Sequence, residues 1–480
     1  MSILSVMVEL KIYSYGPRTV INFSGSELEV GPDVFIALEG AGTFEGVSVE
    51  RRVSKLLAEG RDLARTARKV HRESTRRGHA SITTSLHLQM EVMNCSRALS
   101  LLLVSPPFGS YLQESQRRAR VDRSMLVEPS GLTGEAKDVF MQTAYKMVDE
   151  YLSLVGGDVG IEDARYILPL CTKTSLFISC SLENYVALIQ LCGDESAAAY
   201  VPDEVREFVE KFTSAVRNVA PIMLESRLGF RNRTAAYPFP NPYKPSDIFM
   251  EKVIEANNHP EEPVLISFAS LLGKEADLLK ILAKQDKESL DSVNPMTTAT
   301  TLEPLSLVAY HQAIRHRTVP TAVESIYTAA WRAVVNTTSG VVIPPSIRRN
   351  EKTKSRFLQV VCEALQSYRQ LLDIGISPST AVLIVPQALK VYAVRLYNGF
   401  NILHPSGFIA TRSCSYAQWE ERAIAYKLMQ EIARKSPSLS AVMGEKCRHL
   451  GYCPEREWCP IILKYHQYSD ELHKRFGESG

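Results

Sequence analysis

The chain has almost no net charge, no paired Cys-x-x-Cys and no strict strand–helix–strand rhythm, and each absence narrows what it can be. A formal charge of +2 over 480 residues gives no global field that would demand nucleic acid or an anionic membrane as partner. The start, MSILSVMVELKIYSYGP, has no basic n-region and meets Glu9 early. It is too short and too interrupted for a signal peptide or a membrane span, so no membrane partner is expected. Nine cysteines, an odd number without a secretion signal, point to reduced thiols and a cytoplasmic location. Cys447, Cys453 and Cys459 near the C-terminus are spaced by five residues, with His449 among them. That is not the spacing of common structural zinc sites, so they read as ordinary thiols and no metal is expected. Strands and long helices mixed without the βαβ alternation predict an α+β fold.

What is present is ordinary for a globular protein: 45% hydrophobic and 22% charged residues, in a chain long enough for two or three domains. Its informative property is self-similarity. Gly160-Ile161 pairs with Gly375-Ile376, Pro169 with Pro386, Glu204-Val205-Arg206 with Glu420-Glu421-Arg422 and Pro221 with Pro437, all 215–217 residues apart. Landmarks kept in order at one offset indicate a tandem duplication. Between the copies lies Tyr237-Pro238-Phe239-Pro240-Asn241-Pro242-Tyr243-Lys244-Pro245, which can continue neither a helix nor a central strand and reads as a stiff extended linker. The expected division is a first repeat over 1–236, a linker over 237–262 and a second repeat over 263–480. Each repeat opens with an alternating, β-branched segment, 8–15 and 263–270, predicted as a strand. Residues 51–77 predict a long helix with a basic outer face (Arg61, Arg65, Arg68, Lys69, Arg72, Arg76), and 416–435 predict an amphipathic helix ended before Ser436-Pro437.

Two segments in opposite halves carry the chemistry. Ser110-Tyr111-Leu112-Gln113-Glu114-Ser115-Gln116-Arg117 lies in the first copy; Gln312-Ala313-Ile314-Arg315-His316-Arg317, followed by Ser325, lies in the second. They resemble complementary parts of one signature, the RHRxxSxxxxSxR stretch of flavin-dependent thymidylate synthases. The first copy has Ser105-Pro106-Pro107 where RHR belongs; the second has Pro320 and Tyr327 where Ser and Arg belong. Gly78-His79-Ala80-Ser81 resembles the family's GHxS motif, with Thr84-Ser85 in place of its Glu-His pair. Arg165-Tyr166-Ile167-Leu168-Pro169 resembles RxxLP, where the second copy has Val382. Arg412-Ser413-Cys414-Ser415-Tyr416-Ala417-Gln418-Trp419-Glu420 resembles RxxxxAQWE.

The resemblance implies two tandem copies of a flavin-dependent thymidylate synthase-like fold. It also implies the conversion of dUMP to dTMP with methylenetetrahydrofolate, FAD and NADPH, at a composite site divided between repeats. Arg315, Arg317 and Arg412 would polarise the pyrimidine as catalytic residues. Gln312, Ser115, Gln116, Arg117 and Arg165 would hold the substrate, with the arginine forks suited to phosphate oxygens. His79, Ser81, His316, Asn398 and Asn401 are the residues that would meet FAD. A homodimer, four repeats in all, would restore a pseudo-tetramer with half the usual number of sites. Blander readings stand beside these. Arg117, Arg118, Arg120 and Arg123 also fit an exposed helix face, Arg315-His316-Arg317 a helix end satisfying its own carbonyls, and His79 a core histidine. The alternative function is a non-catalytic diverged paralogue acting as a nucleotide-binding or scaffold protein. A nucleic-acid binder using the basic runs is a third class, disfavoured by the small net charge.

Overall fold

The computed structural model describes residues 8–41, 46–229, 236–272 and 287–450, together with 453–455, 459 and 461; the first seven residues of the N-terminal segment discussed above fall outside them. The chain forms two compact units: Met1–Pro245 with Ala330–Ala388, and Ser246–Ala329 with Leu389–Gly480. Compactness therefore does not follow the linear division of the sequence, because a stretch of the second copy folds with the first unit.

Each unit is built on a four-stranded antiparallel sheet, and the two sheets have the same topology. In the first unit β1 (Glu9–Gly16), β4 (His87–Ser96), β6 (Lys173–Ser181) and β5 (Gly109–Gln113) lie in that order; in the second, β7 (Val264–Ser270), β8 (Thr297–Ser306), β10 (Lys390–Asn398) and β9 (Thr321–Val323) repeat it. Even a register shift recurs, between Ile12 and Ser14 in the first sheet and between Leu265 and Ser267 in the second. The remaining two strands, β2 (Thr19–Phe23) and β3 (Ser26–Val30), form a separate hairpin, whose Ser24 and Gly25 have positive φ, as a tight two-residue turn requires. Both segments expected to open the repeats are strands. Alternation explains β4 and β6: every second residue is buried along most of their length, so one face packs and the other does not.

The junction after each second strand repeats as well. Ser96 caps the helix Arg97–Leu103, its Oγ accepting from Leu99 N–H at 3.0 Å; Ser306 caps Leu307–Ala313, accepting from Ala309 N–H at 3.0 Å. Such a cap contributes on the order of 1 kcal/mol. In each case a glutamate at the start of a later helix accepts the serine's own N–H: half-buried Glu204 at 2.7 Å and buried Glu420 at 2.9 Å. The glutamate of AQWE is thus a tie between a helix and a strand end.

The first unit also contains two antiparallel-repeat helices of equal length, Gly134–Gly156 and Glu351–Asp373. They pack through Phe140, Ala144, Met147, Val148 and Tyr151 on one and Phe357, Val361, Ala364, Leu365 and Tyr368 on the other, all buried. Thr143 and Ser367 hydroxyls meet at 2.8 Å and Arg356 pairs with Glu150 at 2.5 Å.

Two sequence expectations need correction. Residues 51–77 form two helices, Val49–Ala58 and Leu63–Arg76. Gly60, at φ +69°, turns the chain, and Asp62 restarts it by accepting from Ala64 and Arg65 N–H at 2.8 and 3.1 Å. The segment 237–262 is irregular only as far as its proline cluster. It then forms a helix, Ile248–Ala256, capped by Asp247 and burying Met250 and Ile254, because the proline restriction ends at Pro245. The amphipathic helix expected over 416–435 is Trp419–Lys435.

Candidate nucleotide site

In the second unit the RHR segment and Arg412 come together. The helix Leu307–Ala313 ends before the motif, so Arg315, His316 and Arg317 lie in the turn that leads to β9, with Gln312 half-buried on the last helical turn. Arg412 ends the short helix Phe408–Arg412. Its Nε donates to His316 Nε2 at 2.5 Å and lies 3.7 Å from Glu421 Oε2. An imidazole nitrogen that accepts from a guanidinium must be unprotonated, so His316 is neutral with its proton on Nδ1. Burial first, then the charges of Arg412 and Arg395, hold its pKa well below the usual 6.5. Phe408 packs edge-on against the ring at 5.1 Å. Burial lowers the pKa of Arg315 too, with Arg317 and Arg412 as the next causes. Three guanidinium groups thus share one locality and repel one another.

Behind them runs a buried ionic chain whose residues the motif reading missed. Arg395, fully buried on β10, lies 2.9 Å from Glu303 on β8 and 3.5 Å from Glu421. Glu303 also accepts from Thr301 Oγ1 and Tyr397 OH, each at 2.6 Å. Desolvation works against the charge on Arg395, but Tyr397, Glu303 and Glu421 outweigh it and raise its pKa. Glu421 connects this core pair to Arg412, so the position of Arg412 is set from inside the sheet. A glutamate in the apolar run of β8 and the second glutamate after Trp419 were the available signals.

Asn398 and Asn401 serve the same loop. Asn398 Oδ1 accepts from Asn401 N–H and Nδ2 at 3.1 and 2.7 Å; Asn401 Nδ2 donates to Thr318 O at 3.0 Å, and Thr318 Oγ1 donates back to Asn401 Oδ1 at 3.1 Å. Their amides fasten the residue that follows RHR.

In the first unit Ser115, Gln116 and Arg117 form a turn directly after β5, not a helix face, and Arg117 N–H donates to Ser115 Oγ at 3.3 Å. Arg117 meets Glu162 through Nε and Nη2, both at 3.0 Å. Arg165 is buried in the short helical segment before β6, with Nε donating to Glu162 O at 3.1 Å. The structure therefore gathers Arg117 and Arg165 on Glu162, which the motif reading missed and whose place beside Arg165 in sequence was the signal. Gln116 is 5% exposed and neither polar atom of its amide has a hydrogen-bond partner among the described residues, which costs about 1–3 kcal/mol unless a ligand satisfies it. His79 and Ser81 are exposed, away from the 115–117 turn in sequence and without a described side-chain hydrogen bond to it. The buried ion pair of that region is Arg227 with Glu183, at 2.7 Å, with Thr83 donating to the same carboxylate.

Motif and vacancy occupy matching places in the two sheets. RHR lies between a capped helix and β9, and Ser105-Pro106-Pro107 between a capped helix and β5; Arg165 precedes β6 as Val382 precedes β10. The thymidylate synthase complementing protein family matches residues 44–222 and again 252–438. The chain belongs to that family. Both copies are thymidylate synthase complementing protein domains, in a mixed helix-and-sheet fold. Similar proteins include flavin-dependent thymidylate synthases of Pyrococcus abyssi (33% identical over 172 residues, 34% of this chain and 67% of the relative) and Pyrococcus furiosus (31% over 172 residues, 34% and 67%). That of Nitratidesulfovibrio vulgaris is 32% identical over 164 residues, 32% of this chain and 64% of the relative. Among solved structures, the UMP/dUMP methylase PolB from Streptomyces cacaoi bound with 5-Br UMP aligns with 47% of this chain and 96% of its own, at 17% identity and a TM-score of 0.32. Among the described residues no helix is long and apolar enough to cross a membrane.

Proposed function

We propose that this member of the thymidylate synthase complementing protein family converts dUMP to dTMP, taking a one-carbon unit from methylenetetrahydrofolate with FAD and NADPH as redox partners. The observation that carries the nucleotide half is the locality of Arg315, Arg317 and Arg412 around a neutral histidine. Three like charges, one of them positioned by the buried ionic chain, are suited to an anion, and donors fixed in advance stabilise charge that develops on a pyrimidine carbonyl. Arg165, Arg117, Ser115 and the unsatisfied Gln116 amide supply the phosphate half. The site is shared between repeats, with Gln312 and the three arginines of the second copy completing what the first copy lacks, in a homodimer of four repeats.

The flavin half is less well served by the residues expected for it. Asn398 is engaged with Asn401, Asn401 also with Thr318, and His316 with Arg412 and Phe408. They do not form a flavin cradle. The same observation favours the second reading, a paralogue that binds the nucleotide without turning it over.

One experiment separates the two: visible absorption of the purified full-length protein with FAD, followed by titration with dUMP. Flavin bands that shift on adding dUMP support the synthase. Binding of dUMP by a colourless protein leaves the non-catalytic reading, and binding of neither removes both.

A further inference from the structure

The basic run that the nucleotide site leaves aside forms one ordered face in the first unit. Residues 61–79 hold seven lysines and arginines against two acids, a net charge of +5 where the whole chain has +2. The small total is thus an average over a positive segment and a negative remainder. Arg65, Arg68, Lys69, Arg72 and Arg76 of the helix Leu63–Arg76 are all exposed. Their spacing sets them within about 100° of one helix face, in a row about 16 Å long.

The opposite face is anchored. Ala67 and His71 are buried, and Ala64, Ala67 and Val70 pack with Val34 and Ala37 of one neighbouring helix and Ile222 of another. Asp33 ties the three together. Its carboxylate accepts from Ile222 and Met223 N–H, both at 2.8 Å, and its carbonyl accepts from His71 Nε2 at 2.7 Å. Neither acid of the segment neutralises the row. Asp62 caps the helix start, and Glu73 accepts from Arg76 at 2.9 Å and lies 3.9 Å from Arg77. Among the described residues Arg65, Arg68, Lys69 and Arg72 form no ion pair. The second basic run differs: Arg117 meets Glu162, and Arg123 Nε donates to Asp149 at 2.9 Å.

A straight row of unpaired cations complements a linear polyanion. Phosphates of one duplex strand recur about every 3.4 Å along the axis, so the row faces about five of them. An acidic protein loop has no such repeat. The face carries no aromatic side chain on which the bases of a single strand would stack. Its helix has no outward apolar side to enter a membrane surface, because that side is packed inside the unit. The major groove of B-form DNA admits an α-helix, whereas that of A-form RNA is narrow.

We propose that the exposed face of the Leu63–Arg76 helix binds the phosphate backbone of duplex DNA irrespective of sequence. This binding is separate from the nucleotide site and does not depend on what Arg315, Arg317 and Arg412 hold.

The test is fluorescence anisotropy of a labelled DNA duplex of about 20 base pairs, titrated with the full chain from about 50 to 200 mM salt. Five phosphate contacts predict a slope of about −4.5 for log affinity against log salt. Arg68→Ala and Arg72→Ala should each make that slope shallower by about one. Together they should weaken binding by about tenfold or more, with thermal melts unchanged because both side chains are exposed. Arg434→Ala, on an exposed site of the other unit, should leave binding as it is. The wild-type salt slope and an RNA duplex of the same sequence decide even where a variant fails to fold. Absence of DNA binding at about 50 mM salt would overturn the proposal. So would a slope unaffected by the arginine variants, or equal affinity for the RNA duplex, polyglutamate or phosphatidylserine vesicles.

Discussion

Arg412 and Glu303 lie at opposite ends of one ionic chain, and their removal should have opposite consequences. Glu303 is fully buried with three donors aimed at it, one of them Arg395. Glu303→Ala leaves a buried guanidinium without its main partner and should cost about 3–5 kcal/mol, read as a lower denaturation midpoint. Arg412, at the accessible end (21% exposed), should cost little stability when replaced by Ala. It should instead weaken dUMP binding, by isothermal titration, by about tenfold or more; unchanged affinity would remove it from the site. His316 adds a pH dependence. Its folded pKa lies below the unfolded 6.5, so the unfolded chain binds the proton more readily and stability falls as pH drops through about 6.5. Protonation also removes the lone pair that accepts from Arg412. Thermal melts from pH 8 to 5.5 should show the fall, and His316→Gln should blunt it.

At the scale of elements, the paired ties Ser96–Glu204 and Ser306–Glu420 show what could be read ahead of the structure. The landmark pair Glu204 and Glu420 was found from its offset alone, and the structure gives both the same neighbour. The opening strands and the Trp419–Lys435 helix were legible because alternation and helical periodicity are local properties. The break at Gly60–Asp62 was also written in the chain, as a positive-φ glycine followed by a capping aspartate, but a continuous basic face concealed it. Arg395 was not legible, and Glu303 and Glu162 offered only a position in sequence as a signal, not their roles. Their importance comes from cross-strand and interelement neighbours that no spacing within one segment reveals. Burial raises the carboxyl of Glu204 from 4.5 to about 7, despite the donors from Ser96 that lower it. Because the folded pKa is raised, its contribution is favourable below 4.5 and is lost as pH rises through about 7. Glu204→Gln keeps an acceptor oxygen without the charge, so it should raise the melting temperature at pH 8 and change little at pH 5.

At the scale of the whole molecule, the proposed division of one site between the two copies predicts a stoichiometry. Two family domains with complete motifs would offer two nucleotide sites per chain. Here the first copy has Ser105-Pro106-Pro107 in place of RHR, and the second has Val382 in place of the arginine of RxxLP and Tyr327 in place of the arginine of SxR. Val382 is fully buried and carries no cation for a phosphate. A site assembled from the remaining halves would lack both guanidinium clusters, and phosphate recognition without cationic forks loses its strongest contacts. Calorimetric titration with dUMP should therefore saturate at about one nucleotide per chain. Arg165→Ala should reduce affinity without changing that number, whereas Val382→Ala should change neither. Saturation at two per chain, or equal losses from Arg165→Ala and Val382→Ala, would mean that the two copies bind alike and that the complementary losses in the sequence do not define a shared site.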